Sequence, residues 1–410
     1  MSARFCAAYF LAAFGCAAAV NPTFSKDVAP ILYNRCLECH RPGEAAPMAF
    51  TSYAEVRTWA KAIKQAVLAH TMPPWLADPH FGSFRNDRRL PEEAIRTIAA
   101  WVDAGAPEGN PKEMPQLPRF ESGWRIGKPD AVFDMGTDFD VPPEGVVAYK
   151  YFTVPTHFTE DRWVEAAEVR PGQRGAVHHV IAFIKEPADK SDRPTDAGNI
   201  LVGYAPGENP LELLHGTAVL VKAGSSLTFQ VHYTPNGKAA KDRSYIGLRF
   251  AKEAPKYRAI RGMAVNPMFL IPPNDSNYEV RSSYTATQDI ALDSLMPHMH
   301  FRGKDFRYTV VYPDGRQEVI LSVPKYDFNW QLRYHLQSPL LLPKGTRIDC
   351  VAHFDNSANN KYNPDPTKAV HWGEQTWEEM MIGFFTYTVP YEPLSATAAE
   401  ARAKGLERDR

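Results

Sequence analysis

The chain has 410 residues, of which 44% are hydrophobic, and it carries 46 basic and 47 acidic side chains. A chain of this length exceeds what one hydrophobic core usually supports, so we expect more than one domain. The apolar content excludes a largely disordered protein. A net charge of −1 lacks the basic surface that nucleic acid requires, so we expect no nucleic-acid partner.

The first 19 residues have the layout of a secretory signal peptide. Arg4 precedes the apolar run Phe5–Ala19, which is too short for a membrane span. We therefore predict an exported protein, periplasmic or secreted, with no transmembrane segment; lipid attachment at Cys16 is the less favoured alternative. Removal of this leader leaves a disulfide-poor chain with three cysteines: Cys36, Cys39 and Cys350.

Helical patterns follow the leader. Apolar residues recur at three- and four-residue steps in Phe24–Cys39, Ser52–Leu68 and Pro91–Ala104. We therefore expect residues 22–108 to form a small all-α domain. Residues 109–145 are rich in proline and lack periodicity, which predicts an extended linker.

The texture changes to β-structure at Val146. Short runs of β-branched and aromatic residues alternate with turn dipeptides such as Asn236-Gly237 and Asp314-Gly315. This pattern predicts two antiparallel β-sandwiches of jelly-roll type. The predicted fold class is thus multidomain, with a small all-α domain followed by two such sandwiches. The first sandwich is predicted at 146–255 and the second at 256–393, and a charged tail follows at 394–410.

The sequence CLECH contains Cys36, Cys39 and His40 in the C-x-x-C-H spacing of covalent haem c attachment. Two thiols on one turn can add to the two vinyl groups of haem, and the adjacent imidazole can bind the iron. We therefore predict one covalent haem c and a cytochrome c-like character for 22–108. Met72 is the favoured second axial ligand, and its rivals are His70 and His80.

Thirteen histidines are present, and several group in the β-rich part of the chain. His178 and His179 are adjacent, and adjacent residues point apart on a regular strand, so binding one metal together would require a bend or bulge. His298 and His300 alternate and can face one metal. Imidazole suits copper or zinc, and a thioether favours copper(I). The candidate metal ligands are His178, His179, His232, His298, His300 and Met380.

The order HHV, QVHY, HMHFRGK and EEM resembles the copper type II, ascorbate-dependent monooxygenases, which include the peptidylglycine α-hydroxylating and dopamine β-monooxygenases. The resemblance covers roughly 145–390 and implies two jelly-roll domains that each hold one copper ion. It implies that His178, His179 and His232 form the first site. It implies that His298, His300 and Met380 form the second, where catalysis would occur, with Met381 a close rival of Met380. His353 and His371 are read as structural or supporting residues.

Taken together, these patterns predict a copper-dependent monooxygenase that hydroxylates a C–H bond with O2, with electrons relayed from an external donor through the haem. The alternative is a non-catalytic periplasmic copper or electron-transfer protein. The chain departs from the animal enzymes because it lacks their disulfides and the substrate-anchoring arginine before H-x-H. The substrate, a small molecule or a peptide, is therefore not predicted.

Overall fold

The computed structural model describes residues 21–44, 46–120, 123–191, 197–205 and 208–391. The predicted signal peptide, with Cys16, and the predicted tail lie outside these ranges. Within them the chain divides into two compact units. The helical unit comprises 21–42, 48–71 and 90–118, and the β unit comprises 43–47, 72–89 and 119–391.

The helical unit contains three short α-helices: α1 (Ala29–Arg35), α2 (Tyr53–Leu68) and α3 (Glu92–Asp103). A π-helical turn, Phe24–Val28, precedes α1, and a 3₁₀ turn, Pro111–Glu113, follows α3. A capping box starts α2, because the Ser52 hydroxyl accepts from the Glu55 N–H and the Glu55 carboxylate accepts from the Ser52 N–H. None of the helices in the described part of the chain is long and apolar enough to cross a membrane.

The β unit contains all of the strands found in the described residues. The first eleven are β1 (Ala131–Asp134), β2 (Phe139–Val141), β3 (Lys150–Pro155), β4 (Arg162–Arg170), β5 (Val177–Lys185), β6 (Ile200–Tyr204), β7 (Leu211–Glu212), β8 (Thr217–Val221), β9 (Ser226–Tyr233), β10 (Ala240–Asp242) and β11 (Tyr245–Phe250). The rest are β12 (Tyr257–Val265), β13 (Leu270–Ile271), β14 (Tyr278–Thr285), β15 (Ile290–His298), β16 (Gly303–Val311), β17 (Gln317–Val323), β18 (Tyr334–Leu342), β19 (Arg347–Phe354), β20 (Val370–His371) and β21 (Ile382–Pro390). A 3₁₀ turn, Ala197–Asn199, precedes β6.

One large sheet runs through the β unit. It has nine strands in the order β1-β11-β4-β8-β12-β21-β15-β18, with β7 paired to β4. The two halves of this sheet join where β8 and β12 pair in parallel, with Thr217 opposite Tyr257 and Ala218 opposite Arg258. Two four-stranded sheets, β3-β9-β5-β6 and β14-β19-β16-β17, complete the main architecture, and β2-β10 and β13-β20 form small ribbons.

Two separate apolar cores stabilise the β unit. The first contains buried residues of β4, β8 and β11 together with residues of β5, β6 and β9, such as Phe229 and Val180. The second lies between β12-β21-β15-β18 and β14-β19-β16-β17 and includes Phe306 and Phe385. In each core the apolar faces of two sheets share one buried layer, as in a β-sandwich.

The predicted fold class is wrong, because residues 22–108 do not form a sizeable all-α domain of cytochrome type. Their helices are only 7, 16 and 12 residues long. Residues 72–89 belong to the β unit, where Trp75 and Phe84 are part of the second core and Phe84 pairs with Leu336. Both aromatic side chains are buried in this core, which holds the segment with the sheets. The sandwiches are also not independent antiparallel domains, since β8 and β12 join them in one sheet.

Candidate metal centre

The first histidine cluster is assembled by an irregularity in β5. Val177 lies opposite Tyr233, and His179 lies opposite His232, so His178 is an extra residue between two register positions. A bulge of this kind turns a side chain that would otherwise point to the other face of the sheet. His178 and His179 therefore converge, and β9 supplies His232 beside them.

The three imidazoles are close enough to bind one metal ion. One ring nitrogen from each residue lies within 4.8 Å of the other two. The ring centroids of His178 and His232 are 5.1 Å apart, those of His179 and His232 are 5.0 Å apart, and the Nδ1 atoms of His178 and His179 are 3.1 Å apart. Three neutral imidazoles form a donor set that suits copper or zinc.

Burial keeps these imidazoles neutral. It lowers the pKa of His178, lowers that of His232 to about 4, and, together with the neighbouring histidines, lowers the pKa of His179 well below its usual value. A neutral ring keeps a lone pair for a metal ion. The Nδ1 atom of His232 is buried and has no hydrogen-bond partner among the described residues, and buried polar atoms of this kind are rare unless a ligand satisfies them. These observations fit a metal site.

The second cluster lies where β15 ends. His298 is the last residue of that strand, His300 follows, and their ring centroids are 5.2 Å apart with perpendicular planes. The Nδ1 atom of His298 is 2.5 Å from Oε1 of Gln331, and the Nδ1 atom of His300 is 3.3 Å from the carbonyl oxygen of Glu378. Such contacts fix the orientation and tautomer of a metal-binding ring and leave Nε2 as the ligand atom.

A buried carboxylate fixes the backbone of the second cluster. Glu379 accepts the backbone N–H of His300 at 2.8 Å and that of Arg302 at 2.6 Å. Burial raises the pKa of Glu379 to about 8, although these two hydrogen bonds and the charge of Arg302 act to lower it. The carboxylate thus ties the H-x-H segment to the segment that carries Met380.

The two candidate methionines occupy different surroundings. Met380 follows Glu379 directly and is half-buried. Met381 is fully buried in the second core, where its sulfur accepts the Ser282 hydroxyl at 3.1 Å. Because Met381 is engaged in the core, its neighbour Met380 is the better candidate for a thioether ligand.

One aromatic ring contacts both histidine clusters. The ring of Phe328 stacks on His178, with centroids 5.6 Å apart and planes 8° from parallel. Its centroid is 6.0 Å from that of His300, in an edge-on arrangement. His298 and His300 also lower the pKa of His179. The structure therefore brings five of the predicted histidine ligands into one buried region.

The haem-attachment motif forms a turn after α1. The N–H groups of Cys39 and His40 donate to the carbonyl oxygen of Cys36, at 3.1 and 2.9 Å. The His40 ring stacks on Phe50, and its Nδ1 lies 3.2 Å from the carbonyl oxygen of Met48, which leaves Nε2 for an iron ligand. The donor set of this turn fits haem attachment.

The rival axial ligands divide between the two units. Met72 and His80 belong to the segment that the β unit includes, whereas His70 belongs to the helical unit, as His40 does. His80 is exposed and pairs with Asp78 at 2.7 Å. The second axial ligand stays a prediction, with Met72, His70 and His80 as candidates.

The spare histidines are engaged elsewhere. The Nδ1 atom of His353 lies 2.7 Å from Asp305, and its Nε2 lies 3.5 Å from Glu279. His371 is exposed, and its Nδ1 lies 2.7 Å from the carbonyl oxygen of Trp372. Neither histidine belongs to the cluster of three imidazoles.

Sequence reasoning missed several residues that surround the clusters. Gln331 and Phe328 lie in the connection between β17 and β18, which carries no metal-binding motif. Tyr149 borders the first cluster, with its ring centroid 5.5 Å from His179 and 4.9 Å from His232. Burial raises the pKa of Tyr149, so this residue stays a neutral phenol. No spacing rule identifies such residues, because only the folded chain brings them to the histidines.

No protein-family model and no curated protein matches this chain. Among solved structures, the major capsid protein P2 from bacteriophage PM2 is 10% identical, with 63% of this chain and 98% of that chain covered and a TM-score of 0.28. The VP2 subviral particle of infectious bursal disease virus is 9% identical, with 64% and 73% covered and a TM-score of 0.19. Allantoicase is 6% identical, with 53% and 79% covered and a TM-score of 0.17. Similarities this weak carry no argument about this chain.

Proposed function

We propose that this protein is a copper-dependent monooxygenase that hydroxylates a C–H bond of its substrate with O2. The observation that supports this proposal most is the convergence of His178, His179 and His232 at the bulge in β5. A bulge that turns a histidine toward two others in a buried region has a clear use as a metal site. The overall reaction takes one O2, two electrons and two protons and yields the alcohol and water.

Two copper ions would be held, one by His178, His179 and His232, and the other by His298, His300 and Met380. A copper ion in sites of this kind exchanges single electrons and, where a coordination position is open, reacts with O2. The thioether favours copper(I), which suits the second site to the oxygen step.

The protein's own side chains prepare the site in three ways. Burial holds the imidazoles neutral, so that their lone pairs are available. Gln331 orients His298, and Glu379 holds the backbone at His300. Phe328 and Tyr149 cover the histidines with aromatic surface and so limit the access of water.

We assign the supply of electrons to haem c bound at the CLECH turn. Cys36 and Cys39 would form the thioether bonds, and His40, whose Nδ1 lies beside the carbonyl oxygen of Met48, would bind the iron through Nε2. Haem exchanges one electron at a time, so two successive transfers would supply one turnover.

Copper titration of wild-type protein and single variants tests the copper sites. We expect two ions in the wild type, and His178→Ala and His298→Ala should each lose one ion from a different site. His371→Ala is the matched control, because His371 is exposed and outside both clusters. Trace binding by the wild type, or unchanged loading in both variants, would contradict the assignment.

Oxygen consumption then distinguishes a monooxygenase from a non-catalytic electron-transfer protein. With copper, a chemical reductant and no substrate, the monooxygenase should reduce O2 with two electrons and two protons to H2O2, and His298→Ala should abolish this O2 consumption. Full copper loading without O2 consumption would favour the electron-transfer alternative. Stopped-flow reduction of the haem tests the relay: haem reoxidation that is as fast without copper as with it would remove the haem from the pathway.

A further inference from the structure

An open cavity of about 460 Å³ is lined in part by Phe328, the aromatic residue that contacts both histidine clusters, while none of the histidines lines it. Its volume is within the range of roughly 300–1,000 Å³ that small-molecule sites usually have. Its aromatic and charged lining residues are Phe301, Tyr326, Phe328, Tyr362, Lys304, Lys325, Lys361, Asp327 and Asp355. No role in the proposed copper sites accounts for this cavity.

The inner wall of the cavity is aromatic. Phe301 and Phe328 pack edge to face, with centroids 4.9 Å apart. The Tyr326 hydroxyl is used internally, because it donates to the carbonyl oxygen of Met299 at 2.8 Å, so the ring presents apolar surface. Phe328 lines the cavity and also contacts the rings of His178 and His300. An apolar group in the cavity would therefore lie one aromatic ring away from the histidines.

Two of the lysines that line the cavity lie at its rim. Lys325 and Lys361 are both exposed, and among the described residues neither forms an ion pair. The ammonium of Lys361 lies 4.8 Å from the centroid of the Tyr362 ring. By contrast, the Lys304 ammonium donates to the carbonyl oxygen of Ser276 and to the Asn277 side chain.

The two acidic residues of the lining are engaged with their own loops. Oδ1 of Asp327 accepts the N–H and the side-chain amide of Asn329, both at 2.9 Å. Oδ1 of Asp355 accepts the N–H and the hydroxyl of Ser357. The lining thus has three lysines against two aspartates, and the cations at the rim are the groups left for a ligand.

We infer that this cavity binds a small organic carboxylate with an aromatic or other apolar end. The apolar end lies against Phe328, and the carboxylate lies at the rim with Lys325 and Lys361. Ammonium groups at the rim select a carboxylate by charge, while the aromatic wall selects the hydrocarbon. The inference rests on the cavity alone and does not depend on the proposed function.

Binding measurements on copper-free protein test the inference apart from any activity. The probes are 3-phenylpropionate, its neutral amide 3-phenylpropanamide, and acetate, each titrated calorimetrically. We expect 3-phenylpropionate to bind about tenfold more tightly than the amide, because two exposed ion pairs contribute on this order. Acetate should bind more weakly still, since it lacks the hydrocarbon.

Variants then locate the binding site. The double variant Lys325→Gln/Lys361→Gln should weaken 3-phenylpropionate binding about tenfold and leave the affinity for the amide unchanged. Lys344→Gln is the control, because Lys344 follows the far end of β18 in the same unit. Equal affinities for acid and amide, or no effect of the double variant, would overturn the inference.

The outcome is independent of the copper experiments. Lysine-dependent binding in a protein that takes up no copper would leave the carboxylate site standing and remove the monooxygenase. Copper loading and O2 consumption without lysine-dependent binding would support the monooxygenase and exclude the carboxylate site.

Discussion

The substitution Glu379→Gln tests how the second histidine cluster is held in place. The two carboxylate oxygens of Glu379 each accept one backbone N–H, from His300 and from Arg302. Glutamine has nearly the same shape but replaces one oxygen by an amide NH₂ group, which cannot accept. One of the two backbone N–H groups would then face another donor in a fully buried position.

The expected cost follows from this geometry. A buried N–H that loses its partner destabilises a protein by about 1–3 kcal/mol. Because burial raises the pKa of Glu379 to about 8, the group is mostly uncharged near neutral pH, and the lost N–H partner accounts for the expected cost. Because the same N–H bonds hold His300, copper affinity at the second site should fall about 10- to 100-fold.

Two measurements check this prediction. Urea unfolding should show the loss of stability, and competitive copper titration should show weakened binding of one ion while the ion at His178, His179 and His232 binds as before. Glu318→Gln is the control, because Glu318 is an exposed carboxylate of the same sandwich. Wild-type stability and copper affinity in Glu379→Gln would refute the reasoning, and equal weakening of both ions would show that Glu379 acts on the whole region.

Three further predictions concern the same region and the buried thiol. Gln331→Leu removes the hydrogen-bond partner of His298 and should weaken copper binding at the second site about 10- to 100-fold, measured by competition with a chelator; unchanged affinity would exclude this role. Burial raises the pKa of Cys350 well above its usual range, so the thiolate is scarce near pH 8 and a thiol reagent should detect Cys350 only after unfolding. Rapid labelling of Cys350 in the native protein would contradict its burial. Removal of copper should lower the melting temperature by about 5 °C at an ion concentration of 100 Kd, and identical melting curves with and without copper would argue against binding.

The sequence predicted which histidines belong to each cluster. The structure explains why some of these residues could be grouped from local patterns and others could not. Adjacent His178 and His179 could share a metal only if the strand were irregular, and β5 has that irregularity. His232 could be assigned to them only through a family resemblance, because cross-strand pairing over about fifty residues leaves no local pattern.

The supporting residues were beyond prediction for a different reason. Gln331 and Phe328 act through a loop between two strands, and loop residues carry no periodicity that ties them to a distant strand. Their contacts with His298 and His178 depend on how the loop packs, which is a tertiary property. Glu379 marked the position of Met380 in the sequence, but the hydrogen bonds that it accepts from the backbone N–H groups of His300 and Arg302 could not be foreseen.

The incorrect assignment of residues 72–89 to the predicted all-α domain has a related cause. The helical patterns on both sides of this segment suggested one continuous domain, and local periodicity does not report which core an irregular segment joins. Trp75 packs in the second core with ring contacts to Phe84 and Tyr334, at 5.9 and 4.9 Å. Large aromatic residues in a segment without periodicity indicate that it packs against a partner, although they do not identify that partner.

The histidine clusters illustrate how β-structure can bring imidazoles together from distant parts of a chain. His179 and His232 are cross-strand partners in one sheet, while His298 ends a strand of another. Each strand register is fixed by its own apolar core, because a one-residue slip would turn every core side chain outward. The positions of the imidazoles are therefore stabilised by the burial of residues such as Phe229 and Phe385. Substitutions in either core should weaken metal binding before they unfold the protein. The imidazoles can bind one ion only if the strands keep their positions to within a fraction of the strand spacing.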